Sequence, residues 1–399
     1  MSETDEPSGR PHSKRLHWWN RGSGVRLRLW MAVNVVVLSL LSYGVYLLAN
    51  SSSEPVYQGL GVPAAEPGIK DRLTSGVAAA RTSVPEKASF TAPEGKYFGL
   101  SSTDIPWSSA KTNTLARAAG QRPTMSEYFV NWNEDFDPAA VDASYRQGML
   151  PVISWQPWAG RKQGADQPEY ALSKIIDGAY DAYVTRFAKA VASHRWPVVI
   201  RFAHEMNGGW YPWSEQRSGN HKGDYVKAWR HVHDLFEQAG ADNAIWLWSP
   251  NILRPVPKVS LAGLYPGDDY TDWVGLVGYA VHEKTAATVF DPTLKKLRKL
   301  TDRPIVITEA GAQPGASKAA WISDFFKWLG KREQDDVIGF IWFERDQDQG
   351  GGADWRFTEN TATRKAFRRG LADIDLTGAA GLPTAGTPSG SAATAPTTG

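Results

Sequence analysis

Short apolar runs rich in β-branched and aromatic residues alternate with segments of helical periodicity between about residues 95 and 373. Eight of these runs have the length and composition of strands, and we predict them at residues 97–101, 123–130, 150–155, 198–204, 244–248, 273–279, 304–308 and 337–343. Eight strands that alternate with helices predict an α/β fold, the (β/α)8 TIM barrel. An open doubly wound sheet is the alternative, but the chain has no glycine-rich first turn between strand and helix to support it.

Two of the intervening segments place apolar residues three and four positions apart, the spacing of one helix face. The first face comprises Tyr225, Trp229, Val232, Leu235 and Phe236, and the second comprises Trp321, Phe325, Trp328 and Leu329. We expect both faces to pack against the outside of the barrel. On the seventh strand, Ile305 and Ile307 alternate in step with Glu309, so we expect both isoleucines to fill the barrel interior.

The first fifty residues follow another pattern, in which basic residues precede an uncharged apolar run at 30–49. A helix of that length matches the hydrocarbon core of a bilayer, which is about 30 Å thick. We therefore predict a basic cytoplasmic segment at 1–29, a single transmembrane anchor at 30–49 and an extracytoplasmic remainder at the cell membrane. The alternative is a signal peptide cleaved near the small residues at 49–51, which would give a secreted protein.

Two further segments lack sustained apolar periodicity. Residues 50–94 are rich in Ser, Pro, Glu, Gly and Ala, and we predict a flexible linker there. Residues 374–399 consist mostly of Thr, Gly, Ala, Pro and Ser, and we predict a disordered tail. The catalytic domain is therefore expected at 95–373.

Composition narrows the classes of function. The formal net charge of +2 gives no reason to expect a nucleic-acid partner. The absence of cysteine excludes disulfides, thiolate catalysis and cysteine metal sites. His231 and His233 lie two positions apart on a predicted helix and would point in different directions, so no metal site is predicted. We expect no cofactor, and a monomer.

Two glutamates stand at the carboxyl ends of strongly apolar strands, where the active sites of such barrels lie. Glu205 follows strand 4 and Glu309 follows strand 7. A buried carboxylate must be paired or used, and Arg201 is the only residue of these strands that could balance the charge. Hydrolysis of a glycosidic bond requires one carboxylic acid and one carboxylate, so this pair predicts a glycosidase.

The surrounding residues resemble glycoside hydrolase family 26 over about residues 95–373. The segment 204–213, which reads HEMNGGWYPW, is similar to the family's acid/base motif. Further matches are Arg201, Trp155, Tyr279, the segment 308–311 (TEAG), Trp342 and the segment 354–356 (DWR). The family contains mainly β-1,4-mannanases, with some mixed-linkage β-glucanases and β-1,3-xylanases, and its members are retaining (β/α)8 barrels.

The resemblance implies that Glu205 is the acid/base and Glu309 the nucleophile. It also implies substrate-binding or orienting roles for Arg201, His204, Asn207, Trp210, Trp213, Trp155, Tyr279 and Trp342. The segments 154–158 and 277–281 and the loop 345–352 depart from the family pattern, which leaves the sugar preference open. The chain has 18 tryptophans, many of them in loops after strands, and their flat faces suit pyranose rings.

The function that we predict is a membrane-anchored retaining endo-β-glycosidase acting on a β-linked polysaccharide, with β-1,4-mannan as the leading substrate. Mixed-linkage β-glucan is an alternative substrate. A transglycosylase that remodels exopolysaccharide would use the same residues, and a non-catalytic polysaccharide-binding protein is the competing class. The intact glutamate pair argues against that last class.

Overall fold

A computed structural model describes residues 84–282 and 285–378 of the chain. Its core is a closed barrel of eight parallel strands in sequence order, which confirms the predicted fold class. The strands are β1 (Tyr97–Ser101), β2 (Met125–Asn131), β3 (Leu150–Gln156), β4 (Val198–Phe202), β5 (Ala244–Trp248), β6 (Trp273–Ala280), β7 (Ile305–Ala312) and β8 (Val337–Phe343).

One short helix precedes β1, and helices follow every strand except β5, which is followed by 3-10 turns only. They are α1 (Ala88–Thr91), α2 (Ser109–Ala119), α3 (Pro138–Arg146), α4 (Leu172–Ile176), α5 (Asp181–His194), α6 (Asp224–Gln238), α7 (Ala286–Leu297), α8 (Lys318–Leu329) and α9 (Thr361–Ala372). Short 3-10 turns occur at Arg161–Gln163, Pro168–Tyr170, Leu261–Gly263, Asp268–Tyr270 and Arg332–Gln334, and a π-helical turn at Gln347–Gly351.

The two predicted helix faces lie where the spacing placed them. In α6 every residue of the predicted face is buried except Leu235, which is half-buried. In α8 all four residues of the predicted face are buried, and Phe325 packs against Phe340 of β8 with ring centroids 5.4 Å apart. The main core is therefore the apolar layer between the strands and the helices.

The prediction that Ile307 fills the barrel interior is wrong. Ile307 pairs with Phe340, whose ring faces helix α8, so Ile307 lies on the outer face of the sheet. The pairing register of β7 with β8 shifts between Ile307 and Ala310, which breaks the strict alternation of sides before Glu309 is reached. Ile307 therefore does not share the inward face of Glu309, although it lies two positions before it.

The packed domain extends beyond both predicted limits. In the segment predicted as linker, α1 buries Phe90 against Tyr145 of α3, with ring centroids 6.3 Å apart. In the segment predicted as tail, Leu376 pairs with Lys96 beside β1, and Ile374 is buried.

The predicted anchor at 30–49 lies outside the described residues, as do the rest of 1–83 and residues 379–399. In the part of the chain that the structure describes, no helix is both long enough and apolar enough to span a membrane.

Candidate active site

A cleft of about 550 Å³ opens at the carboxyl ends of the strands. Its walls come from the strands β2, β3, β6, β7 and β8 and from the loops that follow β3, β4 and β8. Glu205 and Glu309 both line it, and aromatic side chains form much of the remaining surface: Phe129, Trp158, Trp210, Tyr211, Tyr279, Phe343 and Trp355. Two carboxyl groups in an aromatic-lined cleft are the features that glycoside hydrolysis requires.

Glu205 is positioned by a sharp turn at the end of β4. The strand ends at Phe202, two residues before the predicted end, because Ala203 and Glu205 adopt positive φ angles of 42° and 53°. Such angles are uncommon for residues with a side chain and often mark functional sites. The backbone amide of Glu205 donates to the carbonyl of Ser249 at 2.7 Å, which fixes the turn against the end of β5.

The surroundings of Glu205 favour its protonated form. Burial, followed by the charge of Glu309, raises the pKa of Glu205 to about 7. Its carboxylate accepts hydrogen bonds from Trp210 Nε1 at 2.9 Å and from Asn251 Nδ2, and these donors oppose the rise. Glu205 therefore has the protonation behaviour that a general acid needs near neutral pH.

Glu309 is held by one charged donor and one neutral donor. Its Oε1 accepts a hydrogen bond from Arg201 Nη1 at 2.8 Å, and its Oε2 accepts one from the hydroxyl of Tyr279 at 2.5 Å. Burial and the charge of Glu309 raise the pKa of Tyr279, so its hydroxyl keeps the proton that it donates. A charged donor on one oxygen and a neutral donor on the other stabilise the carboxylate form that a nucleophile requires.

Arg201 also binds a third carboxylate, Glu127 of β2, which the sequence analysis did not single out. Arg201 Nη1 lies 2.8 Å from Glu127 Oε1 and 2.9 Å from Ser154 Oγ. Glu127 is fully buried, and burial raises its pKa to about 7 even though Arg201 opposes the shift. A charged residue on the inward face of a strand was the signal that could have identified it.

Asn207 lies behind the cleft wall rather than at its surface. It is 1% exposed, and its side chain binds the backbone of Asn251 through both its oxygen and its nitrogen, each at 2.8 Å. Asn251 in turn donates to Glu205. Asn207, predicted to bind substrate, therefore acts on Glu205 through Asn251, a residue that sequence reasoning missed.

The resemblance implied that Trp155 binds substrate, but the structure does not bring Trp155 to the cleft. Ser154 points into the barrel towards Arg201, so the next residue on β3 points outward. Trp155 stacks on Phe187 of α5 with ring centroids 4.5 Å apart and is fully buried. Its neighbour Gln156 lines the cleft instead.

Trp342 is also misplaced in the prediction, for the same reason. Its ring lies 5.2 Å from that of Phe367 on α9, on the outer face of β8. The following residue, Phe343, points inward and lines the cleft. In both strands the prediction chose the tryptophan one position away from the side chain that reaches the site.

His204 and Trp213 form a buried support under the cleft. His204 packs against Phe129, Tyr211 and Trp213, and neither ring nitrogen has a hydrogen-bond partner in the described part of the chain. Burial, followed by the charge of Arg201, holds the pKa of His204 well below its usual range, so the ring is neutral. Trp213 donates to the carbonyl of His204 at 2.6 Å. Neither residue lines the cleft, whereas the predicted Trp210 and Tyr279 do.

The pH dependence of kcat/KM should show the protonation of Glu205. The acid must carry its proton, so kcat/KM is expected to fall as pH rises through about 7. The Asn251→Ala variant loses a donor that stabilises the carboxylate, which should move this alkaline limb to higher pH. Asn243→Ala is the matched control, because Asn243 is a buried asparagine that binds the backbone of Val191 and Trp196. An alkaline limb that stays in place in Asn251→Ala would contradict this account of Glu205.

Comparison with known proteins relates the chain to one family of glycoside hydrolases. Residues 154–322, which include both glutamates, match the sequence model of "Glycosyl hydrolase family 26". The chain is 30% identical to Endoglucanase H of Acetivibrio thermocellus over 266 residues, which are 63% of this chain and 28% of that protein. It is 25% identical to a mannan endo-1,4-beta-mannosidase of Bacillus subtilis over 237 residues, 49% of this chain and 61% of the relative. The chain thus spans less than two thirds of the length of either relative.

A solved structure gives the same result for the fold. The modular endo-beta-1,4-mannanase from Cellulomonas fimi superposes with a TM-score of 0.56 at 16% identity, covering 70% of this chain and 71% of that one.

Proposed function

Since the chain belongs to glycoside hydrolase family 26, we propose that it is a retaining endo-β-glycosidase acting on a β-linked polysaccharide, with β-1,4-mannan as the leading substrate. The observation that carries the proposal is the contrast between the two carboxyl groups of the cleft. Burial favours the protonated form of Glu205, while Arg201 and Tyr279 bind the two oxygens of Glu309. A buried carboxyl group that favours its protonated form suits the proton donor, and a carboxyl group whose two oxygens are held by fixed donors suits the nucleophile.

In the first step Glu309 attacks the anomeric carbon of the sugar, and a glycosyl-enzyme ester forms as the glycosidic bond breaks. Glu205 gives its proton to the departing oxygen, so the leaving chain departs as a neutral alcohol. As negative charge leaves Glu309, the donors Arg201 and Tyr279 remain in place on its two oxygens. The positive charge that develops on the sugar lies in a cleft that holds a carboxylate.

In the second step Glu205, now a carboxylate, takes a proton from water while the water oxygen attacks the anomeric carbon. The ester bond to Glu309 breaks, and the sugar is released with its original configuration. The donors Trp210 and Asn251 stabilise Glu205 while it is charged. The same residue thus serves as acid and then as base, because its proton returns at the end of the cycle.

One experiment tests both the substrate preference and the stereochemistry of cleavage: the protein is incubated separately with β-1,4-mannan, mixed-linkage β-glucan and β-1,3-xylan. The similarity to Endoglucanase H gives a specific reason to include the glucan. We expect release of oligosaccharides from mannan, and NMR during the first minutes should show the β-anomer of the new reducing end before mutarotation. Initial release of the α-anomer would rule out retention, and activity on glucan alone would replace mannan as the substrate.

We also propose that the protein is held at the cell membrane with its barrel on the extracytoplasmic side, because residues 30–49 have the length and apolar character of a spanning helix. The full chain should stay in the membrane fraction through high-salt washing and should require detergent for release, since burial of apolar residues is insensitive to salt screening. A variant lacking residues 1–51 is the matched control and should be recovered without detergent. Recovery of the full chain as a soluble form that starts near Ser52 would overturn the anchor.

A further inference from the structure

Arg345 is half-buried and lines the cleft, where the charges of Glu127 and Glu309 act on it. Its guanidinium lies over the ring of Phe129 at 4.7 Å and over that of Phe343 at 5.2 Å. None of the described carboxylates forms an ion pair with it, and its buried Nε has no hydrogen-bond partner within the described residues. The two rings fix the plane of the guanidinium, while its Nε–H is left for a partner that the described residues do not supply.

Arg161 brings a second cation to the same cleft. It begins the 3-10 turn after β3, and its Nη1 donates to the carbonyl of Gly350 in the loop after β8, at 3.0 Å. The acceptor in this hydrogen bond is a neutral carbonyl, and no described acid forms an ion pair with Arg161. Burial lowers the pKa of Arg345, while the charges of Glu127 and Glu309 oppose the shift. The charge of Arg161 also lowers this pKa, so the two cations are close enough to repel each other.

Two further half-buried arginines of the described chain form ion pairs. Arg298 lies 2.5 Å from Asp336, and Arg356 lies 2.6 Å from Asp354. Arg201, deeper in the same site, contacts Glu127 and Glu309. Arg161 and Arg345 both line the cleft, and neither forms a direct ion pair with a described carboxylate, so both guanidinium groups can pair with an anionic ligand.

We propose that Arg161 and Arg345 form a subsite for a carboxylate carried by the polysaccharide, so that the substrate is an acidic β-linked polymer containing uronic acid units. The planar fork of a guanidinium matches the two oxygens of a carboxylate, and stacking on Phe129 and Phe343 holds that fork in position. The inference rests on the proposed function, since it assumes that the cleft binds a polysaccharide, and it specifies the chemical class of that polysaccharide.

The test compares three forms of one polymer: β-1,4-mannan, the same mannan lightly oxidised at C6 to carry carboxylates, and the oxidised mannan reduced back to the alcohol. The native protein should have a KM about tenfold lower for the oxidised form than for the other two, the equivalent of one charge-assisted hydrogen bond. High salt should reduce this preference. Mass spectrometry of the products should find uronic residues at a fixed distance from the cleaved bond.

The variants Arg161→Gln and Arg345→Gln should each bring the ratio of the two KM values towards one. Each ratio is internal to one variant, so a general loss of activity does not affect it. Lys162→Gln is the matched control, because Lys162 is an exposed cation of the same turn that does not line the cleft, and its ratio should stay that of the native protein. Equal KM values in the native protein, or a preference that both variants retain, would overturn the subsite.

Retardation in native gels that contain each polymer separates this inference from the proposed function. If neither polymer is cleaved but the oxidised form retards the native protein and not Arg161→Gln, the subsite stands and the hydrolase proposal fails. If both are cleaved with equal KM, the hydrolase proposal stands and the subsite fails. If neither polymer is cleaved and neither causes retardation, both fail.

Discussion

Replacing Glu309 with alanine is expected to abolish turnover of natural polysaccharide and of activated aryl β-glycosides alike, with a loss on the order of 10⁴-fold or more in kcat. Without the carboxylate no covalent intermediate can form, and a better leaving group cannot compensate for a missing nucleophile. Steady-state kinetics on both substrates measures the effect. Added azide should partly restore turnover of the aryl glycoside and give the α-glycosyl azide, because a small anion can enter from the side that the carboxylate occupied.

The Glu309→Gln variant controls for damage to the fold. Glutamine keeps the size of the side chain, its amide oxygen can accept from Arg201 and its NH2 group can donate to the Tyr279 hydroxyl, but the amide is a poor nucleophile. Both variants should be equally inactive, with thermal unfolding of the glutamine variant close to that of the native protein. Substantial activity in either folded variant would show that Glu309 is not the nucleophile.

Replacing Glu205 with alanine is expected to give a loss that depends on the leaving group. On natural polysaccharide kcat should fall by about 10²–10⁴-fold, the usual contribution of general acid–base catalysis. On an activated aryl glycoside the first step needs no proton, so it should remain fast, and the second step should stall for want of a base. Rapid-mixing experiments should then show a burst of released phenol followed by a slow steady state.

Azide distinguishes this variant from Glu309→Ala. In Glu205→Ala the anion should attack the accumulated glycosyl-enzyme and give the β-glycosyl azide, with the configuration of the substrate retained. Trp210→Phe is a useful control, because it removes one donor to Glu205 but leaves the carboxyl group in place. An equal loss on both substrates, or an α-azide from Glu205→Ala, would argue against the acid/base assignment.

Much of the fold could be predicted because its determinants are local. The alternation of apolar strands and helical spacing found all eight strands, and β1, β5 and β8 have the predicted bounds. The glutamates could be located for a related reason. In a parallel barrel the carboxyl ends of all strands lie on one side, so a charged residue just after an apolar strand falls at the site. The structure accordingly brings Glu205 and Glu309 to one cleft.

The orientation of individual side chains was harder to predict, because it depends on a period of two that one irregularity reverses. The register shift after Ile307 in β7 leaves Ile307 on the outer face while Glu309 faces the cleft. At Trp155 and Trp342 the identity of the residue suggested sugar binding, but each lies on the outer face of its strand. A large aromatic on a barrel strand packs equally well beneath a helix, so residue type alone could not decide the side.

Contacts between distant parts of the chain were not predictable from a single sequence. Asn251 meets Glu205 across 46 positions, and Glu127 meets Arg201 across 74. The loop 345–352 was noted as unusual, but only the structure brings Arg345 and Arg161 to the same cleft. Such contacts follow from closure of the barrel, which joins side chains from several strands at one end.

The most direct measurement is the mass of the protein after it reacts with an activated aryl β-glycoside. Glu205→Ala should gain the mass of one glycosyl unit, and peptide mapping should place that unit on Glu309. The double variant Glu205→Ala/Glu309→Ala should gain nothing. An adduct on another carboxylate, such as Glu127, or hydrolysis of the aryl glycoside with a burst but without any adduct, would contradict the assignment of Glu309 as the nucleophile.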